Sequence, residues 1–478
     1  MSPSERFRKV FVWVGIAVVA LAAVLLQRVR SDSDAALASD EGGFVEDRPD
    51  ADVGEPGEST IAPVALESQL AAKMTVALHA LAPTVGSDQI LGQVEKARNG
   101  AFADRLGYCV LVGNFKGWEV GIAQAKEIAL PTDAVDEARA MRDRVIDAMR
   151  ALAEERAPTA EEAESLEALR PTLGYFVDVL GPGAVAKATA TTAVLVAAGL
   201  WYLVAFLLGL VALVVLIGLT GTGKVRPVFA PAPSAHAAVV LGETFLLWIV
   251  SFLGLNVVAA AVALPFAEQL GAGGSLFVSV LVMFTSLAAL AYPARRGVHW
   301  SELRALIGLH TGAGVVREAL HGVLCYLSAV PLLVFGLVCF AILSAIAEMF
   351  QGDAPPPSHP VVEMFAGAGG FEVLMLFMLA SVTAPIVEEI AFRGLLYGHL
   401  RGVVAPRVRL ISMLVAAFAS SAVFAVIHPQ GVLFVPALGG LAVGFCVYRE
   451  MRGSLVAPMV AHGLNNAVTL TIGLALMS

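Results

Sequence analysis

The chain has 478 residues, 58% of them hydrophobic and only 15% charged, with a formal net charge of −9 and a mean hydropathy of +0.78. Soluble domains carry about 25% charged residues, so a wholly soluble protein is excluded. The charge is also split: residues 32–185 hold 13 Lys and Arg against 28 Asp and Glu, a net −15, which leaves +6 for the remainder. An acidic soluble part joined to an apolar part with basic loops is not a nucleic-acid-binding pattern, and no nucleic-acid partner is expected. Cys109, Cys325, Cys339 and Cys446 form no CxxC, which argues against a disulfide framework or a cysteine zinc site.

In chain order, Arg6, Arg8 and Lys9 precede an apolar run over 10–26, at the short end of a membrane span. Ala36-Leu-Ala38 resembles a signal cleavage site, but Arg28, Arg30 and a polar gap separate it from the run. Residues 1–30 therefore read as an uncleaved signal anchor with the N-terminus inside. Residues 31–59, acidic and rich in Ser, Gly and Pro, read as a solvated linker. Over 60–185 the pattern becomes helical. Thr159 followed by Glu162 fits a capping box, and Val135, Ala138, Met141, Val145 and Met149 recur at spacings of three and four. A small bundle of four to six helices is expected, with His79 and Trp118 as core or boundary residues.

Apolar segments follow near 190–218, 238–264, 275–293, 321–347, 371–398, 411–428, 431–448 and 454–476, so 186–478 reads as a membrane domain. Alternate loops are basic: Lys224 and Arg226; Arg295, Arg296, Arg304 and Arg317; Arg401, Arg407 and Arg409; Arg449 and Arg452. The loops around Glu268, Asp353 and Pro429 carry no Lys or Arg. The basic loops are then cytoplasmic, and the helical domain and the C-terminus are extracytoplasmic. The fold class expected is all-α: a polytopic membrane helical bundle of about eight spans, preceded by a signal anchor and a small α-helical extracytoplasmic domain. The layout fits a multi-pass protein of a bacterial inner membrane. Gly440 with Gly444, and Gly394 with Gly398, are small-xxx-small pairs that let helices approach closely.

Three polar constellations interrupt the last four spans: Glu388, Glu389 and Arg393; Phe424 and His428; His462 and Asn466. Charged groups are costly in hydrocarbon, so a chain keeps them there when they face one another or a wet cavity. Glu389 and Arg393, four apart, can pair on one helical face, while Glu388 lies about 100° away and stays available. A carboxylate in a dry cavity suits a general base. A lone Glu–Arg pair would read as an ion network at a helix end; two adjacent glutamates after Pro385, deep in an apolar run, favour function. His462 and Asn466 share a face and can donate to an oxyanion, and the imidazole can also ligate a metal. Asn465 points off that face. His299, His310, His321, His359 and His399 are read as solvated, Glu243 and Asn256 have no obvious partner, and Ser420 and Ser421 are packing residues. Gly-x-Ser-x-Gly, Gly-rich phosphate loops and His-Glu-x-x-His are absent.

In this order the motifs resemble those of the CAAX protease and bacteriocin-processing family of intramembrane proteases: Glu-Glu-x-x-x-Arg, Phe-x-x-x-His and His-x-x-x-Asn. The connector from Tyr448 to Pro458 is similar too, and the resemblance covers 371–476. It implies hydrolysis of a peptide bond in or beside the bilayer. By that resemblance Glu388 would activate water, His428 would help to hold it, and His462 and Asn466 would stabilise the oxyanion. Glu389 and Arg393 would order the site and Phe424 would pack behind His428. Zinc held by Glu388, His428 and His462 is one account; a metal-free glutamate mechanism is the other, and is preferred because one glutamate serves poorly as both ligand and base. The expected partners are the lipid bilayer, a membrane-associated protein or peptide substrate, and a protein partner of the exported domain. Two other classes stay open: a non-catalytic scaffold or regulator, and an ion or metal carrier. One difficulty tests the resemblance. On a straight span His428 lies about 27 Å along from the cytoplasmic end, nearer the external side than His462.

Overall fold

The computed structural model describes residues 8, 12–18, 61–81, 86–224, 232–351, 368–404 and 408–477. Every regular element among them is helical. Most of the expected anchor, the whole acidic linker, and Arg226, Asp353, His359 and Arg407 lie outside the described residues. The chain forms two compact units, one of residues 32–200 with 474–478 and one of residues 1–31 with 201–473.

The first unit contains α1 (Leu66–Leu81), α2 (Phe102–Lys116), α3 (Trp118–Glu127), α4 (Val135–Ala153), α5 (Ala160–Glu167) and the short α6 (Tyr175–Leu180). The three-and-four spacing of α4 buries Ala138, Met141, Val145 and Met149. The Thr159 capping box starts α5: Glu162 N–H donates to Thr159 Oγ1 at 3.2 Å, and Thr159 N–H donates to Glu162 Oε2 at 2.7 Å. Phe176 of α6 fills the core against Gly107, where a Cβ would sit 2.5 Å from its ring. His79 packs edge-on against Phe115, and Trp118 lies over Gly113, both at the boundary of the core.

Among the described residues, eight helices are long and apolar enough to cross a membrane, matching the eight apolar segments read after residue 186. They are α7 (Ala184–Gly221), α8 (within Ala235–Phe266), α9 (within Gln269–Arg295), α10 (within Val315–Ala347), α11 (Gly370–Val403), α12 (Arg409–Val426), α13 (within Val432–Arg452) and α14 (Val456–Met477). With the bilayer as solvent, close packing replaces the hydrophobic effect between such helices. Gly440 shows how: a Cβ there would lie 2.5 Å from Leu332 O, so α13 rests directly on the α10 backbone, and Gly444 meets Ala329. Gly394 and Gly398 of α11 likewise admit Ile307 and Leu241.

Glu243 of α8, without an obvious partner in the sequence, has three. Arg8 lies 3.0 Å away, Tyr292 Oη donates at 3.0 Å, and Arg296 is at 3.6 Å. Beside it the described N-terminal helical residues pack into the membrane unit. Val12 is fully buried, and the Trp13 ring lies 6.0 Å from that of His399 at a tilt of 58°.

Candidate active site

α11 is not a plain α-helix. It is π-helical over Met378–Thr383 and again over Glu389–Leu396, with an α turn at Ala384–Glu388 between. Such widened turns mark functional sites in helices. Pro385 gives a physical cause for the first. It has no N–H, so neither Ser381 O in α pairing nor Ala380 O in π pairing can find its helical partner at residue 385. Both carbonyls meet α14 instead. Asn466 Nδ2 donates to Ala380 O at 2.8 Å, and Gly463 approaches so closely that a Cβ would sit 2.5 Å from Ser381 O. A proline on one helix and a glycine–asparagine pair on another thus dock α14, and with it His462, against the glutamates.

The two glutamates have separate environments. Glu389 and Arg393 are fully buried, with Arg393 Nη1 3.0 Å from Glu389 Oε1; the angle makes this an ion contact rather than a hydrogen bond. The guanidinium lies 4.3 Å above the Phe424 ring and 5.4 Å from that of Phe445. The aromatic faces favour the cation where water is absent. Glu389 Oε1 also accepts from His462 Nδ1 at 2.9 Å, which fixes the orientation of that ring. Glu388 remains 18% exposed, and its Oε2 lies 3.8 Å from His462 Nε2 and 3.9 Å from His428 Nε2.

His428 therefore reaches the site despite its position at the far end of its span. α12 stops at Val426, and the chain turns, with His428 N bonded to Ala425 O. The ring folds back, its Nδ1–H donating to Phe424 O at 2.7 Å and its face 4.1 Å from the Phe424 ring. Phe424 touches both imidazoles and Arg393. Asn466 is brought to the same helix as Glu388 but is tied to Ala380; Asn465 donates to Asn466 Oδ1 at 3.2 Å. Ser420 and Ser421 bond to Phe392 O and the Cys446 thiol as packing residues do.

The zinc account can be set against these distances. Tetrahedral zinc with donors at 2.0–2.1 Å holds its ligands about 3.3 Å apart. The carboxylate and the imidazoles are spread wider than that. No group of three or more His, Cys, Asp or Glu among the described residues has metal-holding geometry. As arranged, Glu388, His428 and His462 do not form a zinc cage.

A second buried cluster was not legible as such. Arg401 is 3% exposed and binds Glu450 through Nη2 at 2.7 Å, and its Nη1 donates to Ser412 Oγ at 3.0 Å. Tyr397 Oη donates to Glu450 Oε2 at 2.7 Å. Arg401 and Arg449, read as loop cations, are buried. So is His399, read as solvated, whose Nδ1 bonds Ala238 O at 2.7 Å. The signal was present: Tyr397 and Arg401 are four apart on α11, and Glu450 is the sole acid in the last turn of α13. The cluster clamps ends of α11, α12 and α13, helices that carry Glu388, lead into the turn at His428 and place Phe445 beside His462.

Fold and site together define a multi-pass helical membrane protein with a carboxylate–histidine centre among its spans. Residues 370–468 match the family model described as type II CAAX prenyl endopeptidase Rce1-like. The segment contains all seven residues of the three motifs, and the family resemblance read from them is borne out there. The match points to an intramembrane protease, acting on peptide substrates in a bilayer. No curated protein and no solved structure matches the chain.

Proposed function

We propose that the chain is an intramembrane endopeptidase that hydrolyses a peptide bond in a membrane-associated protein or peptide, with Glu388 as general base. One observation carries the reading: two imidazole Nε2 atoms converge on the Glu388 carboxylate, while Glu389 is engaged by Arg393 and His462. Because His428 Nδ1–H is given to Phe424 O, its Nε2 faces Glu388 with a lone pair. Two acceptors 3.9 Å apart are satisfied by one water that donates a hydrogen to each. That water keeps a lone pair for the scissile carbonyl carbon. As the C–O bond forms, Glu388 takes the water's proton and the carbonyl oxygen becomes an oxyanion. The carboxylic acid then gives the proton to the amine nitrogen as the C–N bond breaks, leaving a new carboxyl terminus and a new amino terminus.

His462, its Nδ1–H held by Glu389, directs Nε2 into the same space and, protonated, donates to the oxyanion. Asn466 has one amide N–H engaged by Ala380 O and a second left for that oxygen. Glu389 and Arg393 hold the geometry. On this proposal the enzyme spans a bacterial inner membrane, oriented with its basic loops inside. In this reading residues 1–30 anchor the chain, 31–59 link, 60–185 form the exported helical domain, and 186–478 the membrane domain. Membrane-tethered, leader and bacteriocin-like peptides are substrates as suitable as prenylated proteins.

The test compares protein termini by mass spectrometry in membranes carrying the wild-type chain or Glu388→Gln. New termini that fall by about 10²–10⁴-fold in the variant, the range of a lost general base, support proteolysis and name the bond. Unchanged termini with a folded variant sink the assignment.

A further inference from the structure

The helical unit contains an open cleft of about 690 Å³ that belongs to no part of the Glu388 site. Ligand sites for small molecules span about 300–1,000 Å³. The floor is a face of α2 between residues 88–98 and the end of α3, where Tyr108 and Ile128 supply partly exposed apolar surface beside the buried Leu91 and Val112. Most charges on the walls are already matched: Lys116 pairs with Asp88, and Arg98 lies 3.7 Å from Glu95. Two are not. Arg105 reaches only Ala129 O, at 3.5 Å, and its buried Nε has no partner among the described residues. Glu127 is exposed at the α3 end of the cleft, and no ion pair or hydrogen bond engages it among the described residues. Cys109 in the same wall is 4% exposed, and burial pushes its thiol up to about 12 against the opposing pull of Arg105.

A cavity with one unmatched cation, one unmatched anion and an apolar floor suits a ligand with one charge of each sign and an apolar body. Its size is too great for a single amino acid to fill. We propose that this cleft binds a short peptide with free ends, the C-terminal carboxylate on the Arg105 guanidinium and the amino terminus on Glu127. A guanidinium fork is the strong, directional partner of a carboxylate. Capture of chain ends is an established mode of peptide recognition.

The site is separate from Glu388, so binding is read on the full-length Glu388→Gln chain in detergent micelles, where no cleavage complicates it. Calorimetric titration uses the tetrapeptide Leu-Ala-Leu-Ala with free ends, its N-acetyl form and its C-amide form. The free peptide saturates one site, and each blocked form binds at least about tenfold more weakly, the loss of one charge-assisted hydrogen bond. The variants cross over. Glu127→Gln erases the distinction between free and N-acetyl peptide but keeps that against the amide, and Arg105→Met does the reverse. Glu127 is exposed, so its substitution leaves the fold intact even if Arg105→Met does not. Absence of saturable binding, or equal binding of free and blocked peptides, overturns the proposal whatever becomes of the protease reading.

Discussion

Two adjacent glutamates carry different burdens, and single substitutions separate them. Glu388 faces the imidazoles without a paired cation, so Glu388→Gln removes the proposed base but no buried ion pair. Glu389 neutralises a fully buried Arg393 and holds the His462 ring. Glu389→Gln strands that guanidinium between Phe424 and Phe445, and breaking a buried pair from one side costs about 3–5 kcal/mol. Thermal unfolding in micelles should therefore show a large drop for Glu389→Gln and little change for Glu388→Gln, although on the proposed mechanism both lower cleavage steeply. Equal unfolding temperatures would refute this division of labour. Intramembrane charge made these residues visible in the sequence, because hydrocarbon penalises each of them. The same logic failed at Arg401, Glu450 and His399, which sit at span ends where solvent is an equally good explanation. Only the packing of α11 against α12 and α13, and for His399 against α8, shows that they are dry.

At the scale of elements, the eight long helices were legible from hydropathy, but the irregularity of α11 was not. Helical periodicity assumes one pitch, and the two π segments change it on either side of Glu388. Pro385 was the available clue, and its consequence lies on another helix, where Gly463 and Asn466 meet the carbonyls it leaves open. The closeness of that contact is testable. Gly463→Ala places a methyl 2.5 Å from a backbone oxygen that cannot swing aside, so α14 must move. Overpacking of this kind costs about 1–3 kcal/mol. A shift of about 1 Å in His462 relative to the glutamates should lower cleavage about 10²-fold. Gly439→Ala is the control: nothing lies within 4 Å of its Cβ position, and alanine favours the helix. Rates of product formation and unfolding temperatures should fall together for the first variant and hold for the second. If both variants cleave alike, the docking of α14 through Gly463 does not position the site.

At the scale of the whole molecule, the charge split in the sequence corresponds to two units held together by different forces. The membrane unit relies on small-residue contacts and dry polar clusters, while the first unit has a soluble-type core edged by surface ion pairs. One of these edges responds to pH. Burial pushes the Asp178 carboxyl up, but Arg170, 2.8 Å away, and Lys187 outweigh it, so the group lies below the usual carboxylate range. A depressed native value means that the folded state holds the proton less tightly than the unfolded one. The contribution of Asp178 is thus complete above its unfolded value, near pH 3.9, and is lost as pH falls through the native value. Asp178→Asn removes the charge at every pH. Hydrogen exchange across α4 and α6 of the intact protein should show the variant opening more readily than wild type at pH 7. The gap should begin to close below about pH 3.9 and vanish only once pH has fallen through the lowered native value, where the folded wild-type carboxyl protonates as well. A difference that persisted undiminished into acid would mean that Asp178 acts through its shape and packing rather than through its charge.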